Sequence, residues 1–395
     1  MSDPQRAAPG PAGPKVSVVV PYRDRLDNLR LALAALADQT LPTDEFEVVL
    51  GVLELDDAYL ALCREYTDRL RIVSVLADRP WQVGYARNLA LRAATGEVLV
   101  LMDVDMALPA HCLADLYDRH FAAGQRICLV GQMIDYDNNT GDVVEVDVRP
   151  YEHYRTVLDD LAAGGPVEAD PRLTARHVIP WSFAWTALIA LPRALVTAHD
   201  LTFDPNFHGY GVEDLEWAYR VARTGTPITV GRDFWGVHLP HLRSVAANRR
   251  TEGPNYRYFL GKWPAHDVEL ACALGDFEAN EAYPEFRRAI EDAAGIPGGS
   301  LAVVRATAAG EHHLVVGVPV DAAGRWAEVS ALVGPDSAVE VLPIAGVALP
   351  YADDTVHRCT VLPAAARLPG AYRKRVFAEA ERVSATPVRL LASRP

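Results

Sequence analysis

Asp103 and Asp105 close an apolar run, Val-Leu-Val-Leu-Met-Asp-Val-Asp over residues 98–105, that is too short for a buried helix. A fully buried strand reads this way, and it sets both carboxylates where the strand's carboxyl end meets solvent. Two hard oxygen ligands one residue apart suit Mg²⁺ or Mn²⁺, ions that take few protein carboxylates and complete their shell with substrate phosphates. Acidic pairs of this kind also occur as solvated turns. A second acidic pair, Glu213 and Asp214, follows the turn Gly209-Tyr210-Gly211-Val212 and precedes Leu215, Ala218, Tyr219, Val221 and Ala222 at helical spacing. Both acids fall in a first helical turn, where the positive end of the dipole stabilises carboxylates. Capping accounts for one acid; a pair facing a metal-bound phosphate would also supply a general base aimed at an acceptor hydroxyl.

The elements that must position these groups alternate along the first hundred residues. Residues 16–20 are a β-branched run stopped by Pro21, and Leu26, Leu29, Leu33 and Leu36 then repeat at helical spacing. Strands are expected over 46–53 and 72–76, with a helical stretch near 59–70 between them. A helix over 84–94 ends at Thr95-Gly96, just before the run that carries Asp103. Residues 185–191 read as a further strand. Strands separated by helices of this length imply right-handed βαβ units, a parallel sheet and ligands at its carboxyl edge. No G-x-G-x-x-G follows the first strand and no G-x-x-x-x-G-K-[ST] exists, which argues against dinucleotide dehydrogenases and P-loop enzymes.

That edge holds other candidates. After the first strand come Pro21, Tyr22, Arg23, Asp24 and Arg25, and the second runs into Glu54, Leu55, Asp56 and Asp57. Arginines there can pair bidentately with phosphate, while an acid on the neighbouring loop can accept from a base N–H or a ribose hydroxyl. Solvated surface charge is the competing account. Arg87 and Asn88, in the first turn of the helix over 84–94, place donors near the same edge; the dipole does not explain a cation there, which favours a ligand role for Arg87.

The 395 residues, 50% hydrophobic, allow two domains or one large domain with an appendage. The net charge of −14 repels nucleic acid and anionic membrane surfaces. No apolar run approaches the roughly 18 residues of a membrane span, and residues 1–14 lack the apolar core of a signal peptide and read as a flexible Pro-, Ala- and Gly-rich tail. Cys63, Cys112, Cys128, Cys272 and Cys359 are widely spaced, without C-x-x-C, as expected of reduced thiols in a cytoplasmic protein.

Taken in order, PYRDR at Pro21, GYARN at Gly84, DVD at Asp103, GYGVED at Gly209 and HLPH at His238 resemble inverting glycosyltransferases of the GT-A fold. The set is similar to family 2 nucleotide-sugar transferases and to the β-1,4-galactosyltransferase group, over roughly residues 16–263. The resemblance implies a Rossmann-like nucleotide-sugar-binding domain and assigns Asp103 and Asp105 to Mn²⁺ or Mg²⁺ held against the diphosphate. It assigns Asp214 to the base that takes the acceptor proton and Glu213 to acceptor contact. His241 matches the metal-binding histidine, and His238 stands where the galactosyltransferase group has a methionine ligand, so one imidazole or both would bind. Trp181, Trp185 and Tyr210 are candidate walls for sugar rings, a role that core packing competes with. Residues 241–263 read as a mobile polar loop that closes over the diphosphate.

Gly295-Ile-Pro-Gly-Gly299 reads as a linker, dividing a GT-A domain at 15–294 from a small α/β domain at 300–395. The latter faintly resembles a degenerate methyltransferase half without its glycine-rich loop, a module for packing, homodimerisation or acceptor binding. The expected function is metal-dependent, inverting transfer of glucose, galactose or N-acetylhexosamine from a UDP-sugar to a hydroxyl of a small-molecule natural product. Aminocyclitol antibiotic glucosyltransferases of family 2 are one such resemblance. The alternatives are a peptide or polysaccharide transferase of the same fold, or a non-catalytic sugar-nucleotide-binding protein.

Overall fold

The β-branched run near the start of the chain forms β1 (Val16–Tyr22), buried along its whole length. In this computed structural model the described residues are 13–134, 142–164, 170–308, 310–326, 329–333 and 337–391; most of the expected tail, residues 1–12, lies outside them. The alternation continues as α1 (Leu26–Ala37), β2 (Phe46–Val52), α2 (Asp57–Glu65), β3 (Ile72–Leu76), α3 (Val83–Ala93) and β4 (Val98–Met102). β1 pairs in parallel with β2 and β4, and β2 with β3. β2 and β4 are buried throughout, as strands covered on both faces must be. Pro21 does not end β1. The pairing with β4 stops at Val19, so the missing proline N–H deprives no neighbouring strand of a donor.

The chain then adds β5 (Met106–Ala107), α4 (Cys112–His120), β6 (Cys128–Ile134), α5 (Tyr151–Ala163), β7 (Leu188–Pro192), α6 (Arg193–Ala198), α7 (Glu213–Arg223) and β8 (Ile228–His238). The eight strands make one sheet in the order β3-β2-β1-β4-β7-β6-β8-β5. β7 is antiparallel to β4 and β6, and β5 to β8. β6 and β8 pair in parallel, so β7 and β5 alone among these eight strands run against a mostly parallel sheet, the α/β GT-A arrangement that the motifs imply. α3 lies hard against β2: a Cβ at Gly51 would sit 1.9 Å from the Ala86 carbonyl oxygen, so only glycine permits this approach.

Two compact units account for the chain, and this sheet lies in the first, which runs to Ala175 and includes Phe183–His208 and Glu213–Ala247. The second comprises Arg176–Ser182, Gly209–Val212 and the chain from Asn248 onward. It contains most of α8 (Val245–Lys262), then α9 (His266–Leu274), α10 (Asp276–Ala294), β9 (Ser300–Ala308), β10 (Glu311–Val320), α11 (Ser330–Val333), β11 (Ala338–Leu342), β12 (Arg358–Val361), α12 (Pro363–Ala366), α13 (Gly370–Val383) and β13 (Arg389–Leu390). Its sheet runs β11-β9-β10-β12-β13, with β9 antiparallel to both neighbours and the β10–β12 and β12–β13 pairs parallel.

Two expectations change here. The boundary falls in the first turn of α8, between Ala247 and Asn248, not at Gly295-Gly299: Gly295 is the left-handed C-cap of α10, and α10 packs into the second unit, where the Phe286 and Tyr372 rings lie 4.9 Å apart. The supposed mobile loop over 241–263 is largely the helix α8, anchored through buried Asn255, Phe259 and Leu260 despite Pro254 within it. The described residues contain no helix long and apolar enough to cross a membrane, and the five cysteines are free.

Candidate active site

Strand register brings the first cluster together. Asp105 lies just before β5, and the antiparallel pairing of Met106 with His238 sets His238 beside it, while the Leu239 N–H donates to the Asp105 carbonyl at 2.7 Å. His241 Nδ1 lies 3.1 Å from Asp105 Oδ2, and His238 Nε2 lies 3.9 Å from Oδ1. The imidazoles meet edge to face at 5.1 Å. One ligand atom from each of Asp105, His238 and His241 falls within 4.8 Å of the others. Burial, Arg25 and His238 hold the His241 pKa below the ordinary histidine value against the pull of Asp105, which keeps the ring in its neutral, ligating form. A carboxylate with two imidazoles is a donor set that can hold a divalent metal ion.

Asp103 is drawn to a different partner. Arg87, nearly inaccessible, donates from Nη2 to Asp103 Oδ1 at 2.8 Å and from Nη1 to Glu213 Oε1 at 3.0 Å, with its guanidinium 5.3 Å from the Phe203 ring. Burial opposes its charge, but the two carboxylates more than offset this and hold its pKa above the usual arginine value. Arg87 is therefore a strut that joins β4 to α7, where the sequence suggested a donor facing ligand. Beside Glu213, Asp214 accepts the Leu215 N–H at 2.8 Å. Burial and the Glu213 charge push its pKa up to about 7 against the opposing pull of Arg87, within reach of a general base's working range. Glu216 is fully buried and bound by Arg220 at 2.9 Å, a helix ion pair unavailable for proton transfer.

The remaining candidates divide by environment. Arg23 and Arg25 lie after β1; Arg25 pairs with Asp105, and Arg23 lies 3.1 Å from Asp24 and 3.9 Å from Glu54. Pro21 and Tyr22 are the last residues of β1, and the Tyr22 ring is buried at 4.8 Å from that of Tyr59, so it faces the core rather than a ligand. Asp56 is the N-cap of α2, accepting the Tyr59 N–H at 2.7 Å. Asn88 is turned inward, with both ends of its amide bonded to the Phe203 backbone at 2.7 and 2.8 Å. Trp185 precedes β7 and lies 4.7 Å from the Arg172 guanidinium. In the second unit, Trp181 is a core residue that donates to Asp267 at 3.0 Å, while Tyr210 is half exposed, its N–H held by Thr251 at 2.9 Å.

Sequence reading missed two supports. Buried Arg172 pairs with Asp170 at 2.6 Å and donates to the carbonyls of Gly131 and Phe183, fixing the segment before Trp185. Phe203 underlies Arg87 and bonds Asn88, and no local pattern marks it.

Residues 17–163 match the family model described as Glycosyl transferase family 2. The chain is 31% identical over 272 residues to validoxylamine A glucosyltransferase of Streptomyces hygroscopicus subsp. jinggangensis, with 66% of this chain and 64% of that protein covered. The protein of that name from subsp. limoneus is also 31% identical, with 66% and 59% covered. The chain thus spans less than two thirds of these relatives. Among solved structures it resembles the mannosyltransferase PcManGT from Pyrobaculum calidifontis in complex with GDP-Man and Mn²⁺, at 20% identity and a TM-score of 0.46, over 71% of this chain and 76% of that one. S. aureus TarS in complex with UDP-GlcNAc is similar at 19% identity and a TM-score of 0.46, over 70% and 80%.

Proposed function

We propose that the chain is a metal-dependent, inverting glycosyltransferase that moves a hexose from a UDP-sugar to a hydroxyl of a small-molecule natural product. The observation that carries this reading is the occurrence, within one unit, of the Asp105, His238 and His241 donor set and of the Arg87-linked acids Asp103 and Glu213 with Asp214 next in sequence. Asp105, His238 and His241 would hold Mn²⁺ or Mg²⁺, with Asp103 as the further carboxylate; the ion supplies neutralising charge for the departing diphosphate. Arg23 and Arg25 orient the diphosphate oxygens as charged donors. Asp214 takes the proton of the acceptor hydroxyl as its oxygen attacks the anomeric carbon from the face opposite the leaving UDP oxygen, and the configuration inverts. Glu213, held by Arg87, orients the acceptor.

The named relatives make UDP-glucose and validoxylamine A the first pair to assay. The chain is incubated with UDP-glucose, UDP-galactose or UDP-N-acetylglucosamine and that acceptor, with Mn²⁺, Mg²⁺ or EDTA, and product is read by mass spectrometry and anomeric proton coupling. A β-linked product formed only with a divalent ion is expected. Tight UDP binding without transfer or hydrolysis for any donor would instead describe a sugar-nucleotide-binding protein.

A further inference from the structure

The second unit contains a cleft of about 250 Å³ whose walls include Tyr256 and Arg257 of α8, Cys272 of α9, and Arg375, Glu379 and Arg382 of α13. Three guanidinium groups and one carboxylate face a single concavity, in a chain whose net charge is −14. The internal pairing within it is already complete without two of them. Arg382 forks onto Glu379 at 2.7 and 2.8 Å, binds Asp353 at 2.8 Å and donates to the carbonyls of Tyr351 and Leu349. Glu379 also accepts the Leu349 N–H at 2.8 Å. Arg257 and Arg375, by contrast, make no hydrogen bond or ion pair among the described residues; Arg257 acts on exposed Asp353 only through its field.

A lone surface arginine without a partner is ordinary. Here the arrangement is different: Arg375 and Arg382 sit seven residues apart on one face of α13, Arg257 of α8 lines the same cleft, and so does the Arg382–Glu379 pair. Guanidinium donors in a fixed fork match the oxygens of a tetrahedral dianion, and Arg257 and Arg375 bring two cations that no hydrogen bond or ion pair among the described residues engages, leaving the cluster with Arg382, Glu379 and Asp353 at a net charge of +1. We propose that this cleft is a binding site for a phosphate dianion, free or as the monoester of a small polyol, distinct in residues from the candidate active site.

Isothermal titration of the full chain with inorganic phosphate at low ionic strength tests it, with acetate as the single-charge control and glucose 1-phosphate as the ester. Saturable phosphate binding is expected, weakened about tenfold or more in the Arg257→Gln, Arg375→Gln double variant and unchanged in Asp105→Ala. Glucose 1-phosphate binding more tightly than phosphate identifies an ester site, and equal binding identifies a site for the free ion; either supports the assignment. It is overturned if the parent does not bind phosphate, if acetate binds as tightly, if the double variant binds like the parent, or if Asp105→Ala abolishes binding. Unchanged melting temperatures verify that both variants are folded.

Discussion

Arg87 Nη1 donates to Glu213 Oε1 at 3.0 Å, joining α3 to α7 across 126 positions of the chain. Its second Nη holds Asp103, so one buried cation sets the spacing between the carboxylate at the end of β4 and the acids that open α7. The position of Glu213 and Asp214 is thereby a property of the sheet edge as well as of their own helix.

Removing that cation leaves one mostly buried and one partly exposed carboxylate without their partner. Arg87→Met should cost about 3 kcal/mol, near the lower end for a broken buried pair because Asp103 retains solvent contact, measured as a shift in urea midpoint. Arg87→Lys keeps the charge but not the fork, and should fall between parent and Met.

The donor set at Asp105 makes a separable prediction. His241→Ala and Asp105→Ala should raise the Mn²⁺ concentration needed for half-maximal activity by more than the roughly 10- to 100-fold typical of losing a second-sphere partner. His238→Ala should do the same if both imidazoles ligate. Titration of Mn²⁺ in the activity assay and by calorimetry checks each, and a lowered melting temperature with unchanged metal demand would mark a histidine as structural.

The buried strands, the Asp103-Val-Asp105 edge and the acidic helix start were legible in the sequence because each rests on a local period or a local charge pattern. Contacts across the fold were not. Arg87 reads as a surface donor until β4 and α7 bring two carboxylates to it, and Tyr22 and Asn88 sit in motifs at the ligand edge yet turn inward because of Tyr59 and Phe203. α8 was hidden by its polar composition and Pro254, since its helicity depends on three buried side chains. The unit boundary was misplaced because a glycine-rich C-cap and an interdomain linker look alike in sequence.

Gly51 offers a test that alters no polar side chain. A methyl at this position meets the Ala86 carbonyl at 1.9 Å, so α3 must move off β2, and Arg87 is the next residue in that helix. Gly51→Ala should destabilise the fold by about 1 to 3 kcal/mol, as overpacking does, and lower turnover with it. Thermal melting and kcat, measured on the same preparations, check the link. A destabilised variant with parental kcat would show that the position of Arg87 does not govern catalysis.

Asp214 carries the sharpest pH dependence. Burial and Glu213 raise its pKa from 3.8 to about 7, so a base at this position is ionised only above that range. Turnover should fall about tenfold per pH unit below 7 and level off above it. Asp214→Asn should remove this limb and lower kcat by about 10²- to 10⁴-fold, or about 3 to 5 kcal/mol, with UDP affinity retained. Stability runs the opposite way. The folded pKa lies above the unfolded one, so the contribution of this group is fully present below about 3.8 and is lost as pH rises through 7. The parent bears that loss at pH 8 and the Asn variant does not, so Asp214→Asn should melt higher than the parent at pH 8, and the advantage should shrink at pH 5. A variant that keeps both the parental rate and the acidic limb would move the base to Glu213, because Glu216 is bound within α7 by Arg220.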